Sequence, residues 1–302
     1  MRIPWLVRLE NSHIAAGDCI DTHTGPRYLQ EAPMRRMLGM RPKIIAVCTL
    51  VLLGNGLLYP AQAAKRPNIL LLLTDDMKAA EDFYSVMPST MKIFRRKGTT
   101  FPNGIATTPT CCPSRASIFS GQYSHNHGVT SNKLGSVLDQ SHTVQYELQR
   151  AGYHTAIVGK FLNDWVAPPS YFDSWAIPVD RDGYPYYDAT FDVNGRRRVI
   201  HRYTTDFARR KGIDFLERFE KEDDSPWFLL LSPNAPHRPA TAEPDYATAE
   251  VPTWTMNPAT SERNISDKPP WLKPGNKSKN RSFRRKQLRT LMSVDDMIEK
   301  LR

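Results

Sequence analysis

The sequence predicts an α/β fold, a mainly parallel sheet flanked by helices, and three observations carry that prediction. Residues 68–74, 155–159 and 227–232 are continuous apolar runs, the pattern of strands buried on both faces. The stretches that precede the second and third runs have helical spacing. Apolar strands separated by helices build parallel sheets, because each parallel connection needs a crossover.

In chain order, residues 68–74 form the first strand and residues 89–97 a short helix. Residues 141–151 form a second helix, closed by Gly152, that leads into the strand at 155–159. Residues 205–220 form a third helix, leading into the strand at 227–232. Residues 162–200 are rich in Pro, Tyr, Asp and Gly and read as a long loop over one face. Residues 239–283 hold many Pro, Asn, Ser and Lys and read as a surface excursion. No internal repeat is visible.

With 302 residues, 40% of them hydrophobic and 24% charged, the chain has the composition of a globular protein with one large or two small domains. Collagen-like, coiled-coil and wholly disordered chains are excluded, and four cysteines are too few for a disulfide-built miniprotein. The net charge of +10 is uneven: residues 1–64 carry +3, residues 65–260 are neutral, and residues 261–302 carry +7. A nucleic-acid-binding domain wears its basic patch on the folded body, so no nucleic-acid partner is expected. Nine basic and no acidic residues fall between Lys268 and Arg289. That run suits an acidic polysaccharide, or equally a solvated, disordered loop.

Arg35, Arg36, Arg41 and Lys43 precede the apolar run 44–58, which is followed by Ala61-Gln62-Ala63-Ala64. A basic flank, an apolar run and a small-x-small site make a secretory signal peptide. The run falls short of the about 20 residues of a membrane span, and Gly54, Asn55 and Gly56 interrupt it, so no stable span is expected. Residues 34–64 are therefore assigned to the signal, with Met34, Met37 or Met40 as the start and residues 1–33 as a mis-called extension. Residues 65–302 form the folded domain. Cys48 would leave with the signal, and Cys19 with an internal start, so Cys111 and Cys112 are the cysteines that remain. Export leaves the periplasm, the lysosome and the cell exterior as destinations.

The first strand ends in Asp75-Asp76, the second in Lys160, and the third is followed closely by His237. Ligand sites in open α/β sheets form beyond the carboxyl ends of the strands. Adjacent carboxylates suit a hard cation such as Ca²⁺ or Mg²⁺. Taken singly, each of these residues also reads as a helix cap, a solvated lysine or a loop histidine. The decisive segment is 107–121, where Cys111, Pro113, Ser114 and Arg115 open a helix patterned by Ala116, Ile118 and Phe119. A cysteine at a helix N-terminus near an arginine sits in an electropositive setting, which alone would suggest a reactive thiolate. Structural zinc needs four ligands, and Cys111-Cys112 has no second pair.

Cys111-x-Pro113-Ser114-Arg115 resembles the signature of the sulfatase family, whose cysteine is oxidised to formylglycine (3-oxoalanine). The resemblance runs from Arg66 to the C-terminus and takes in Pro67-Asn68-Ile69, Asp75-Asp76 and Ser120-Gly121. Cys111-Cys112, the segment from Gly121 to His127, Gly159-Lys160-Phe161-Leu162-Asn163 and Asn234-Ala235-Pro236-His237 are most similar to the glucosamine-6-sulfatases and heparan endosulfatases. Leu162 stands where many arylsulfatases carry a histidine, a departure that favours that subgroup.

The resemblance implies an alkaline-phosphatase-like fold that hydrolyses sulfate esters of amino sugars or glycosaminoglycans, with aryl sulfates as further candidate substrates. It implies a formylglycine-generating enzyme as partner and Ca²⁺, in preference to Mg²⁺, as cofactor. Asp75, Asp76 and the hydrated aldehyde made from Cys111 would hold the ion, and Arg115 would stabilise one diol oxygen as nucleophile. Lys160, Asn163 and His237 would bind substrate, Lys160 at the sulfate oxygens and His237 as acid–base group. The family draws a further Asp and an Asn or His from a later strand. Residues 293–302 resemble the helix before that strand, so the domain is expected to be incomplete at its C-terminus. Asp295 and Asp296 are then a solvated helix face. Two other readings stand beside this one: a non-catalytic remnant that binds acidic glycans through residues 268–289, and a related phosphate or phosphonate ester hydrolase. Asn264, Asn276 and Asn280 head glycosylation sequons.

Protein recovered from an exporting host is expected to begin after Ala63 or Ala64, as read by N-terminal sequencing. A mature N-terminus upstream of Ile44 would remove the signal assignment.

Overall fold

The computed structural model describes residues 7–10 and 66–301, apart from 166, 181–183, 223, 257–261, 263 and 274–276. The chain falls into two units, Met1–Glu10 with Pro67–Arg302, and Asn11–Arg66. Residues 34–64, expected to be a signal peptide, lie outside the described residues.

One seven-stranded sheet organises the first unit: β1 (Val7–Glu10), β2 (Asn68–Leu72), β3 (His154–Gly159), β4 (Ser174–Pro178), β5 (Ala189–Val193), β6 (Arg196–Ile200) and β7 (Trp227–Ser232). Its order is β1-β2-β7-β3-β4-β5-β6. β2, β7, β3 and β4 run parallel, and β1, β5 and β6 add antiparallel at the edges.

Every residue of β7 is buried, because β7 sits mid-sheet with cover on both faces. Its side chains alternate, as the pleat requires: Leu229 and Leu231 enter one core with Ala156 and Val158 of β3, while Phe228 and Leu230 enter the other with Ile157. The four longer helices are α1 (Cys111–Ser120), α2 (Val144–Arg150), α3 (Thr204–Glu220) and α4 (Lys277–Lys300). Phe207 and Phe215 of α3 and Leu288, Leu291 and Val294 of α4 fill the first core. Ala116 and Phe119 of α1, with Val144 and Leu148 of α2, cover the second. The result is helices on both faces of a mostly parallel sheet, as the sequence predicts.

Several expectations are corrected. β2 is half-buried along its length, being next to the edge strand and not at the centre. The helix expected at 89–97 begins at Pro88 and widens after Thr90 into a turn in which the Arg96 N–H reaches the Met91 carbonyl. Residues 162–200 are not a long loop, since they supply β4, β5 and β6. The turn between β5 and β6 is Asn194-Gly195, both at positive φ (50° and 83°), which is the backbone a two-residue hairpin demands. α4 begins at Lys277, so residues 277–289 of the basic run are helix rather than loop.

Asp295 and Asp296 are not a solvated face either. Asp295 is buried and accepts hydrogen bonds from the Ser89 N–H (2.9 Å), the Thr90 N–H (2.7 Å) and the Thr90 hydroxyl (2.7 Å). It therefore satisfies the N-terminal turn at Pro88, which has no cap of its own. Asp296 accepts one bond from the Tyr246 hydroxyl at 2.6 Å.

Asp295→Ala is expected to cost about 2–4 kcal/mol, because it orphans buried donors. Asp296→Ala is expected to cost about 1 kcal/mol. Urea unfolding measures both; equal, small losses would return Asp295 to the surface role.

A candidate active site at the carboxyl edge of the sheet

Register brings the site together. Gly159 of β3 pairs with Ser232 of β7, and Leu72 of β2 with Leu231, so the next residues of three parallel strands emerge side by side. Gly159 has φ +98°, and a Cβ there would lie 2.0 Å from the Ser232 carbonyl oxygen, so only glycine lets β3 turn outward at this point. The Lys160 N–H then bonds the Ser232 carbonyl (2.8 Å), and the Asp75 N–H bonds the Ala235 carbonyl (3.1 Å).

α1 enters over this edge. Its buried Arg115 donates from Nη1 to the Lys160 carbonyl (2.7 Å) and the Ser232 hydroxyl (2.8 Å), and its Nη2 lies 3.4 Å from Asp75 Oδ1. Lys160 Nζ bonds the other Asp75 oxygen at 2.7 Å and sits 4.3 Å from the Tyr184 ring centroid. Asp75 is thus a buried carboxylate between two cations. Burial alone would raise its pKa, but Arg115 and Lys160 outweigh burial and hold it below the usual 3.8.

Asp76, in the left-handed region at φ 66°, turns the other way. Burial and the Asp75 charge push its pKa up. Cys111 Sγ lies 3.8 Å from Asp76 Oδ1, and burial together with Asp75 pushes the thiol up as well. The helix N-terminus therefore does not make Cys111 a ready thiolate, because the nearby carboxylates oppose it. Cys112 is fully buried among Ala116, Phe119 and Val129, on the core side of the helix.

His237 follows β7 through a tight turn, in which its N–H bonds the Asn234 carbonyl at 2.8 Å. Its Nδ1–H donates to the Arg238 carbonyl (2.7 Å), which holds the ring with Nε2 toward the site. Nε2 lies 3.8 Å from Asp76 Oδ2. Its carbonyl accepts from the Tyr186 hydroxyl (2.8 Å), and the preceding Pro236 carbonyl accepts from Gln287 of α4 (3.1 Å).

Asp75, Asp76, Cys111, Arg115, Lys160 and His237 thus converge, and Asp75, Cys111 and His237 offer ligand atoms within 4.8 Å of one another. Oxygen donors of like charge beside one another fit a divalent cation, which would relieve the repulsion that raises Asp76. A cavity of about 90 Å³ lined by Asp75, Asp76, Thr108, Cys111 and Ser114 has room for roughly three waters, a space for a small anion or ion and not for a sugar.

Asn163 lies in the turn after β3, its backbone hydrogen-bonded at Cys112, and is not among the residues that line the cavity. Ser232 and Tyr184 hold the site yet were not singled out from sequence. Ser232 closes an apolar strand and Tyr184 lies in a Tyr-rich segment, so neither type nor spacing marked them.

Three comparisons bear on this arrangement. The family model described as Sulfatase matches residues 67–302. The chain is 31% identical to the N-acetylglucosamine-6-sulfatase of Homo sapiens over 313 residues, covering 91% of this chain and 55% of that protein. It is 28% identical to the "Extracellular sulfatase SULF-1 homolog" of Drosophila melanogaster over 260 residues, covering 78% of this chain and 23% of that one. The chain therefore spans between about a quarter and about half the length of these relatives. Among solved structures, that of BT4656 in complex with its substrate D-glucosamine-2-N,6-O-disulfate superposes with a TM-score of 0.61 at 24% identity, over 78% of this chain and 61% of that one, a likeness of fold.

Because the folded pKa of Asp75 is depressed, the stability it contributes is present above 3.8 and is lost as pH falls through the lower folded value. In metal-free buffer, Asp75→Asn is expected to cost about 3 kcal/mol at neutral pH, leaving Lys160 and Arg115 short of a partner. The variant should also lose less than the parent between about pH 5 and pH 2. Urea midpoints across that range test it; parallel pH profiles would contradict the assignment.

Proposed function

The chain belongs to the sulfatase family, and on that premise we propose that it is a sulfuric-ester hydrolase acting on 6-sulfated amino sugars or the glycosaminoglycans that contain them. The observation that carries this reading is the gathering of Cys111, Asp75, Asp76 and Arg115 around one cavity, with Lys160 paired to Asp75 and His237 Nε2 3.8 Å from Asp76. The names of the human and fly relatives support the substrate class and an extracellular or otherwise exported location. Among the described residues, no helix is long and apolar enough to cross a membrane.

Cys111 would be converted by a formylglycine-generating enzyme, and the hydrated aldehyde supplies an oxygen nucleophile that a thiol raised by burial does not. Asp75, Asp76 and residue 111 would hold Ca²⁺, whose chemistry there is to polarise sulfate oxygens and neutralise charge.

The chain's own residues supply the rest. Lys160, presented at the edge by Gly159, offers an ammonium to the sulfate oxygens as negative charge grows. Arg115 fixes the ends of β3 and β7 beside the carboxylate and adds positive charge from beneath. His237, with Nδ1–H tied to a carbonyl, presents Nε2 to exchange a proton with the ester oxygen as the sugar hydroxyl departs. Tyr184 backs both Lys160 and His237, whose ring it meets edge-on at 5.7 Å.

Co-expression with the modifying enzyme, followed by peptide mass spectrometry, is expected to find the aldehyde at Cys111 and an intact thiol at buried Cys112. Sulfate release from glucosamine 6-sulfate should fall by about 10²–10⁴ in His237→Ala with KM little changed. A chain that releases sulfate while Cys111 stays a thiol would sink the proposal.

A further inference from the structure

A second, much larger cavity of about 1150 Å³ opens outward from His237 and Tyr184, the two site residues that also form its inner wall. It is several times the size needed by a sulfate group and exceeds the usual volume of a small-molecule pocket. Asp180 and Arg238 line it, with Ser278, Lys279, Ser282, Phe283 and Lys286 of α4.

The α4 residues are spaced as one stripe of a helix, at i, i+1, i+4, i+5 and i+8. The following turns of α4, with Leu288, Leu291, Val294 and Met297, are buried in the core and anchor the helix that carries this stripe. Arg238 is fixed too: its guanidinium stacks 4.1 Å from the Phe283 ring centroid, which holds the charge at the wall without neutralising it. Among the described lining residues Arg238, Lys279 and Lys286 are cationic and Asp180, which accepts the Thr190 N–H at 2.9 Å, is the carboxylate. The cavity is therefore positive, provided with hydroxyl donors, and continuous with the residue that would release the sugar.

We propose that this cavity is a second binding site, in which Arg238, Lys279 and Lys286 take the sulfate or carboxylate groups of sugars flanking the reacting residue, so that the preferred substrate is an acidic oligosaccharide rather than a monosaccharide. The inference rests on the proposed sulfatase reading for its substrate class, but its test needs neither an oxidised Cys111 nor turnover.

The probe is a fluorescently labelled, fully sulfated heparin tetrasaccharide, with glucosamine 6-sulfate as competitor. The 302-residue chain is expected to bind the tetrasaccharide about tenfold or more tighter than the monosaccharide. The double variant Lys279→Gln/Lys286→Gln is expected to weaken tetrasaccharide binding about tenfold, the effect of losing charge-assisted bonds worth about 1.4 kcal/mol together. The charge-matched variant Arg196→Gln/Arg198→Gln, on the exposed edge strand β6, should change it by less than about twofold. If both double variants weaken binding equally, the attraction is diffuse charge and the site is refuted; it is equally refuted if neither does. A chain that binds the tetrasaccharide at these lysines yet never releases sulfate after Cys111 conversion overturns the hydrolase reading alone. Sulfate release with no preference for the longer ligand overturns the second site alone.

Discussion

The buried guanidinium of Arg115 is the constraint on which the site depends. It reaches a backbone carbonyl at the end of β3, a hydroxyl at the end of β7 and a carboxylate after β2, so one side chain from α1 locks three strand ends and a helix into a single register. Such a group cannot be buried without partners, and the partners cannot be left without it: breaking a buried pair costs about 3–5 kcal/mol. The sequence position of Arg115, four residues into α1, is what places Cys111 one turn above it.

From that arrangement follows a division of labour between two adjacent carboxyls. Asp75 faces inward to Arg115 and Lys160 and stays ionised, whereas at Asp76, set on a left-handed backbone, burial and the charge of its neighbour outweigh His237, Lys160 and Arg115 and push the pKa up. The same carboxylates decide the state of the thiol. A helix N-terminus is worth at most about 1–2 kcal/mol to an anion. Here burial and two nearby carboxylates oppose it, and the thiol pKa rises.

How much of this was legible depended on where each residue lay. β7 and β3 were read with nearly their observed bounds, since strands covered on both faces write continuous apolar runs. β4, β5 and β6 carry no continuous apolar run, since Pro interrupts the end of β4, Asp the end of β5, and three Arg line the edge strand β6; Asn194-Gly195 is nonetheless a hairpin signal. The chemistry-bearing residues Asp75, Asp76, Cys111, Lys160 and His237 were legible because strand ends and motif spacing name them. The residues that hold them were not. Ser232, Tyr184 and Gln287 act through contacts of long sequence separation, Gln287 reaching back 51 positions to the turn before His237. Asn163 shows the converse, a residue inside a telling motif whose backbone faces the core side of α1.

The place of β7 in the sheet governs the order of assembly. It lies between β2 and β3, although more than 150 residues separate it from β2, as the Asn68–Trp227 contact records (159 positions). Neither β2 nor β3 can find its inner neighbour until residues 227–232 have been synthesised, so the first two apolar strands must wait with open edges. Closing so long a loop is entropically costly and slows folding. The waiting strands are the part of this chain most exposed to mispairing on the ribosome, and chaperone protection there would matter more than anywhere else along its length.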